Sequence, residues 1–80
     1  MSVTTAILEL ASERGNNKTI CPSEVARMLW LDEWRNHMEE VRLAAFSLRD
    51  EGKVHILQKG EEVSDTKIKG PIRIRICDKV

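Results

Sequence analysis

Apolar residues recur with a helical period near the N-terminus. They occupy positions i, i+3, i+4, i+7 and i+8, namely Val3, Ala6, Ile7, Leu10 and Ala11. Ser2 or Thr4 can cap this helix and Gly15 can end it, so the pattern predicts a first helix over Val3–Arg14. The β-prone pair Thr19-Ile20 follows, and it is too short to be more than a strand stub.

A second helix is predicted to begin at Pro22. With Cys21 as the N-cap, Pro22 takes the first helical position, where its missing N–H costs nothing. Glu24 can then reach back to the backbone N–H of the cap. Val25, Met28 and Leu29 supply the buried side of this helix.

The longest helical pattern runs from Glu33 to Glu51, with Asp32 as its cap and Gly52 as its stop. Five apolar side chains fall within about 40° of the first on a helical wheel, namely Trp34, Met38, Val41, Ala45 and Leu48. Arginines recur every seven residues along one edge of that stripe, at Arg35, Arg42 and Arg49, and the outer face holds the acids Glu39, Glu40 and Asp50. Leu43 and Phe46 point away from the stripe and need a second partner.

Beyond Gly52 the period changes to two, which predicts strands. The first strand contains Val54 and Ile56, and the second alternates Ile72, Ile74 and Ile76 with Arg73, Arg75 and Cys77. Residues 60–70 between them are polar and too many for a tight turn. Pro71 stands at a strand start, where proline is tolerated. The pattern predicts a hairpin with a projecting wing.

The order of these elements predicts an α+β fold. Helix, strand stub, helix, helix, strand, wing and strand is the order of a small winged helix-turn-helix, with three helices and a two- to three-stranded antiparallel wing hairpin. An alternative is another small α+β arrangement with its helices on one face of a two-stranded ribbon. In either case residues 1–80 form a single domain, since no linker or repeat divides them.

Composition and cysteine usage narrow the class of protein. The chain has 80 residues, of which 41% are hydrophobic, enough for one small core and against disorder. Its longest apolar runs are far shorter than the roughly 18 residues of a membrane span, and its N-terminus lacks secretory features, so we expect a cytoplasmic protein.

The two cysteines, Cys21 and Cys77, are too few and too far apart for a disulfide framework, so we expect two reduced thiols. The alternative is a reactive Cys21 at a helix N-terminus, although no activating group is placed near it by local spacing.

Several short motifs also resemble a known family. They are Thr19-Ile20-Cys21-Pro22-Ser23-Glu24-Val25-Ala26, then Trp34-Arg35, Met38, Val41-Arg42 and Ala45, and finally Lys69-Gly70-Pro71-Ile72-Arg73-Ile74. In this order and over nearly the whole chain, they are similar to the bacterial family catalogued as domain of unknown function 3253. The resemblance implies a small winged-helix-like bacterial domain and brings no activity, ligand or catalytic residue with it. The chain departs from the pattern at Trp30-Leu31-Asp32, where a Gly-Pro turn would be usual.

Charge suggests one candidate function, nucleic-acid binding. The net charge is zero, but residues 1–51 carry −3 and residues 52–80 carry +3. The predicted phosphate contacts are Lys67, Lys69, Arg73 and Arg75 on the hairpin and Arg35 and Arg42 on the third helix. Acids at the wing tip oppose this interpretation, and the helical arginines are better explained by stems that cover apolar surface and by ion pairs with Glu24, Asp32 or Glu39. The acidic outer face of the third helix is a poor surface for DNA.

Large apolar residues suggest a second candidate function, a protein-interaction or oligomerisation module. Trp30, Leu31 and Leu43 either complete the core or form a partner surface. Trp30 and Leu31, in a turn, motivate a homodimer through that turn or through the first helix.

Enzymatic function is not expected. The sequence contains no P-loop, G-x-G-x-x-G or G-x-S-x-G motif. Cys21, Cys77, His37 and His55 lack the paired spacing of zinc ligands, and both histidines are predicted at edges of the fold. We therefore expect no catalytic residue, cofactor, metal, membrane or small-molecule substrate, and a binding partner that is either DNA or a protein.

Overall fold

The computed structural model describes residues 2–63 and 70–77. Within those residues, three α-helices precede a three-stranded antiparallel sheet: α1 Val3–Arg14, α2 Pro22–Leu29, α3 Met38–Asp50, β1 Val54–Gln58, β2 Glu61–Glu62 and β3 Arg73–Ile76. A short 3₁₀ segment, Trp34–His37, lies directly before α3. The predicted α+β class is confirmed, in the element order of a winged helix. Most of the predicted wing lies outside the described residues.

Local caps fix the bounds of α1 and α2. The Ser2 Oγ accepts a hydrogen bond of 3.1 Å from the backbone N–H of Thr5, and Gly15, with a φ of 102°, ends α1. At the start of α2, a Glu24 carboxylate oxygen accepts a hydrogen bond of 2.7 Å from the Cys21 N–H. The predicted bounds of α1 and the predicted start of α2 are confirmed, because each depends on residues within one turn of the helix end.

The predicted start of the third helix is wrong. Glu33 and Asp32 stand outside any helix, and Trp34–His37 form a 3₁₀ turn before α3 begins at Met38. In a 3₁₀ turn the side chains at i and i+3 eclipse, whereas in an α-helix they diverge by about 60°. The tighter turn therefore puts Trp34 and His37 on one side. The His37 ring stacks on Trp30 with 3.7 Å between ring centroids, while Trp34 packs against the core.

The sheet has the order β2-β1-β3, with Val54 paired to Ile76 and Ile56 paired to Ile74. Ile20 adds the predicted strand stub to the edge of β3 through two backbone hydrogen bonds of 2.8 Å with Ile74. The strand β2 falls within the stretch predicted as a polar loop, because its two glutamates carry no apolar signal.

One core joins the helices to the inner face of the sheet. Its fully buried large side chains come from every layer: Ile7, Ile20, Val25, Val41, Ile56, Ile72 and Ile74. Each such side chain contributes about 1.5–3 kcal/mol through burial. The stripe predicted for α3 faces this core, with Val41, Ala45 and Leu48 buried. Its opposite face is therefore left on the surface of the domain.

Candidate functional site

The two helical arginines predicted to contact DNA lie over aromatic rings. The guanidinium carbon of Arg35 is 4.5 Å from the centre of the Trp34 ring. That of Arg42 is 5.9 Å from the Phe46 ring, and its Nη1 donates a hydrogen bond of 2.8 Å to the Gly70 carbonyl. Both contacts favour the interpretation in which these stems cover apolar surface. Arg42 also ties α3 to the segment that leads into β3.

Two other arginines converge on Thr19. Arg14 and Arg73 both donate to the Thr19 carbonyl, at 3.1 and 3.4 Å, and Arg73 Nε also donates to Thr19 Oγ1 at 2.9 Å. Arg73, a predicted phosphate contact, is exposed, but its guanidinium is already hydrogen-bonded to Thr19. Its guanidinium joins β3 to the stub that precedes α2.

Glu24 is the acid of this cluster. Predicted as a partner for the arginines of the third helix, it pairs instead with Arg14 and also caps α2 through Cys21. Partial burial raises the pKa of Glu24, but the hydrogen bonds from Arg14 and Cys21 and the charges of Arg14 and Arg73 outweigh it. The net result is a pKa below the usual value, because these contacts favour the ionised carboxylate.

The outer face of the sheet carries charges of both signs. Arg75 is half-buried and stands opposite His55 in the register. The His55 ring lies 3.0 Å from a Glu62 carboxylate oxygen, so an acid accompanies these basic groups. Lys67 and Lys69, the other predicted hairpin contacts, lie outside the described residues. The described part of this face is therefore mixed in charge.

The apolar residues predicted as a partner surface divide into two groups. Trp30 is half-buried, packs against the core and stacks on His37. Leu31 is 82% exposed and Leu43 61% exposed. Met28 of α2 is also exposed, at 46%. The sequence placed Met28 on the buried side of α2, and that prediction is wrong because Val25 and Ala26 fill the contact instead.

Five exposed residues along α3 lie on one face of the helix, and exposed Asn36 of the preceding 3₁₀ segment continues that face. We call these six residues the α3 outer stripe: Asn36, Glu39, Glu40, Leu43, Ser47 and Asp50. They follow the i, i+3, i+4, i+7 spacing of one helix face. Three members are acidic and none is basic. Glu40 lies 2.9 Å from the His37 ring, and Asp50 pairs with Arg49. Leu43 is at the centre of this stripe.

Arg27 of α2 was not identified from the sequence. Its guanidinium carbon is 4.3 Å from the centre of the Trp34 ring, so Trp34 carries both Arg27 and Arg35. Both arginines are exposed. No sequence signal connects Arg27 to Trp34, because the contact depends on how α2 packs against the 3₁₀ segment.

In the described ranges, no three His, Cys, Asp or Glu side chains converge to hold a metal ion. Nor do residues 2–63 and 70–77 include a helix with the length and apolar character needed to cross a membrane.

Comparison with known proteins identifies the family to which this chain belongs. No curated protein matches this chain. The model of the family described as Protein of unknown function (DUF3253) matches residues 1–77. That range includes all of the motifs that carried the resemblance in the sequence, and the chain therefore belongs to the DUF3253 family.

Proposed function

We propose that this chain is a bacterial, cytoplasmic, winged-helix-like module that binds a protein partner through its helix-turn-helix half. One observation carries the proposal. All large apolar side chains that are exposed in the described residues come from α2, the turn after it or α3, namely Met28, Leu31 and Leu43. Each gains up to about 1.5–3 kcal/mol when a partner buries it fully.

The charge of the α3 outer stripe supports a protein partner over DNA. A DNA-reading winged helix places its third helix in the major groove, where the phosphates on either side repel carboxylates. Here that helix presents Glu39, Glu40 and Asp50. The cations on α3 are directed elsewhere, since Arg42 and Arg49 both lie over Phe46.

The exposed leucine is the part of the stripe that local structure does not explain. Glu39 and Glu40 stabilise the first turn of α3 through the helix dipole. Leu43 does not stabilise the helix end and does not pack in the core, because Val41 and Ala45 occupy the side of α3 that faces the core. An exposed leucine that takes no part in the core offers apolar surface that a partner can bury. The proposal assigns the chain no catalytic step, cofactor or metal.

Peptide selection tests the proposed function even while the natural partner is unidentified. A displayed library of random peptides is selected on the wild-type protein, and enriched peptides are then titrated against Leu43→Glu. We expect the affinity to fall about tenfold or more. Ser12→Glu, the same gain of charge at an exposed position of α1, is the matched control and should bind like wild type. Peptides that bind Leu43→Glu as well as wild type would contradict the proposal.

A second candidate function is phosphate-directed binding of nucleic acid through the hairpin. The observation that favours it is the charge of +3 over residues 52–80, with Arg73 and Arg75 alternating with buried isoleucines on the outward side of β3. Such binding needs no entry of α3 into a groove.

Fluorescence-anisotropy titration of random-sequence duplex DNA at about 50 and about 200 mM salt separates the two candidates. Binding through the hairpin predicts a steep loss of affinity with salt and further loss in Arg75→Glu. Arg27→Glu, on the opposite half of the domain, is the control and should leave the affinity unchanged. The protein-binding proposal predicts no binding at either salt concentration.

A further inference from the structure

Carboxylates surround the exposed leucine of α3. Glu39 and Glu40 precede Leu43 by four and three residues, so the three side chains are neighbours on one face of the helix. All three are exposed. Glu40 contacts the His37 ring, whereas Glu39 forms no ion pair with another described residue. Leu43 therefore stands beside an unpaired carboxylate.

The turn between α2 and α3 repeats this combination. Exposed Leu31 is followed by two exposed acids, Asp32 and Glu33, and neither forms an ion pair in the described part of the chain. Both acids lie at least five residues before α3 begins, so the dipole of that helix does not account for them. The Asn36 N–H donates a hydrogen bond of 3.0 Å to the Glu33 carbonyl. The turn therefore adjoins the end of the α3 outer stripe at which Asn36 stands.

The helix-turn-helix half, residues 22–50, exposes a net negative charge even when its arginines are counted. It has five exposed acids and two exposed bases, a net charge of −3: Asp32, Glu33, Glu39, Glu40 and Asp50 against Arg27 and Arg35. The other exposed residues of the described chain comprise five acids and four bases, a net charge of −1. Both exposed arginines of this half lie over Trp34, and the α3 outer stripe contains no base. The exposed leucines thus belong to the more acidic part of the described surface.

From this combination we infer that the partner of the α3 outer stripe and the adjoining turn is a basic amphipathic segment of another protein, with apolar side chains flanked by lysine or arginine. The inference rests on the proposed function and names the chemistry of its partner. Apolar side chains of the segment cover Leu43 and Leu31, and its cations pair with the carboxylates beside these leucines. The same carboxylates repel an acidic segment and the phosphates of a nucleic acid.

Three synthetic peptides test this inference by fluorescence anisotropy on the full chain. Each has about 14 residues, which as a helix match the roughly 20 Å length of the α3 outer stripe. The first has leucines at the helical period and lysines elsewhere, the second replaces every lysine with glutamate, and the third replaces every leucine with alanine. At about 150 mM salt we expect the first to bind and the second not to bind. The third should bind about tenfold or more weakly than the first.

Matched charge reversals locate the binding surface for the leucine–lysine peptide. Glu39→Lys should weaken its binding by about tenfold or more, and Asp32→Lys, in the turn outside α3, should weaken it as well. Glu9→Lys, at an exposed acid of α1, gives the protein the same net charge and should leave the affinity unchanged. Leu43→Ala, which changes no charge, should weaken binding about fivefold or more. Far-UV circular dichroism identifies the variants that keep the wild-type fold, and these are compared.

The inference is overturned if the leucine–lysine peptide does not bind, if its glutamate counterpart binds as well, or if the reversals at Glu39 and Asp32 have no more effect than the one at Glu9. The proposed function fails on different evidence. If the peptides selected from the random library depend on Leu43 but not on Glu39 or Asp32, the protein-binding function stands and only the chemistry of its partner is wrong. If no peptide depends on Leu43, the proposed function fails as well.

Discussion

Glu24 joins two helices through a single carboxylate. One oxygen accepts the hydrogen bond of the Cys21 N–H, and the other accepts a hydrogen bond from Arg14 at the end of α1. These contacts lower the pKa of Glu24, so the folded protein binds this proton less readily than the unfolded chain does. The ionised carboxylate therefore stabilises the fold above the unfolded pKa of 4.5. This contribution is lost as the pH falls through the lower folded pKa.

We expect Glu24→Gln to lower the free energy of unfolding by about 1 kcal/mol at neutral pH, through the weakened cap and the lost ion pair. The difference from wild type should shrink as the pH is lowered from neutral to about 3, because protonation of the Glu24 carboxylate removes the ion pair and the charged cap. Urea unfolding at the two pH values measures it. Glu9→Gln, at an exposed acid of α1, is the control and should show little difference. A deficit that is independent of pH would show that the charge is not its cause.

For the three evenly spaced arginines, the sequence predicted positions better than it predicted contacts. The seven-residue spacing correctly placed Arg42 and Arg49 on one side of α3, where both lie over Phe46, because spacing on a helix is a local property. Arg35 stands in the 3₁₀ turn before the helix and lies over Trp34. Their contacts were not predictable. Arg42 bonds to Gly70, which is 28 residues away in the chain, and its geometry depends on how the hairpin packs against α3.

The hairpin between β1 and β2 depends on an unusual pair of backbone conformations. Lys59 and Gly60 both have positive φ, at 54° and 83°, as a two-residue turn of type I′ requires. A Cβ at Gly60 meets nothing within 4 Å. The cost of a side chain there is therefore conformational and not steric.

We expect Gly60→Ala to lower the free energy of unfolding by about 1 kcal/mol. Gly60→Asn should cost less than half as much, because asparagine tolerates positive φ. Chemical denaturation of the two variants and wild type measures the difference. If the alanine and asparagine variants are equally stable, the positive φ of this turn does not govern its stability.

Among the elements, the accuracy of the sequence predictions follows the range of the interactions that determine each one. Both ends of α1 and the start of α2 were predicted correctly because Ser2, Gly15 and Glu24 act within one turn of these helix ends. The 3₁₀ turn before α3 was missed because it depends on the stacking of His37 on Trp30. The strand β2 was missed because its two residues are glutamates, which carry no apolar alternation, and it exists through pairing with β1. The helical period placed Leu43 off the apolar stripe but left open whether it packs in the core or is exposed, and the exposure of Arg27 and Met28 depends on how α2 packs.

At the scale of the whole molecule, one core connects residues far apart in sequence and so fixes where the two thiols lie. Ile20 and Ile74 pair in antiparallel orientation, so Cys21 extends toward the position of Arg73. Cys77 lies four residues from Arg73 in the opposite direction, past Ile74 and the end of β3, and so about 13 Å away at the usual rise of a strand. A disulfide requires Cα atoms within about 7 Å, so the fold keeps Cys21 and Cys77 apart.

We expect the folded protein to retain two free thiols under mild oxidation and to form no internal disulfide. Thiol titration and intact mass measure this outcome, since a disulfide removes two hydrogen atoms from the mass. The same oxidant applied in concentrated urea is the control, because the unfolded chain can close the loop and should form the disulfide. The folded protein should have the same Tm with and without reductant. A rapid internal disulfide in the folded protein would contradict the antiparallel register of Ile20 with Ile74, and with it the attachment of the strand stub to the edge of β3 that joins α1 and α2 to the sheet.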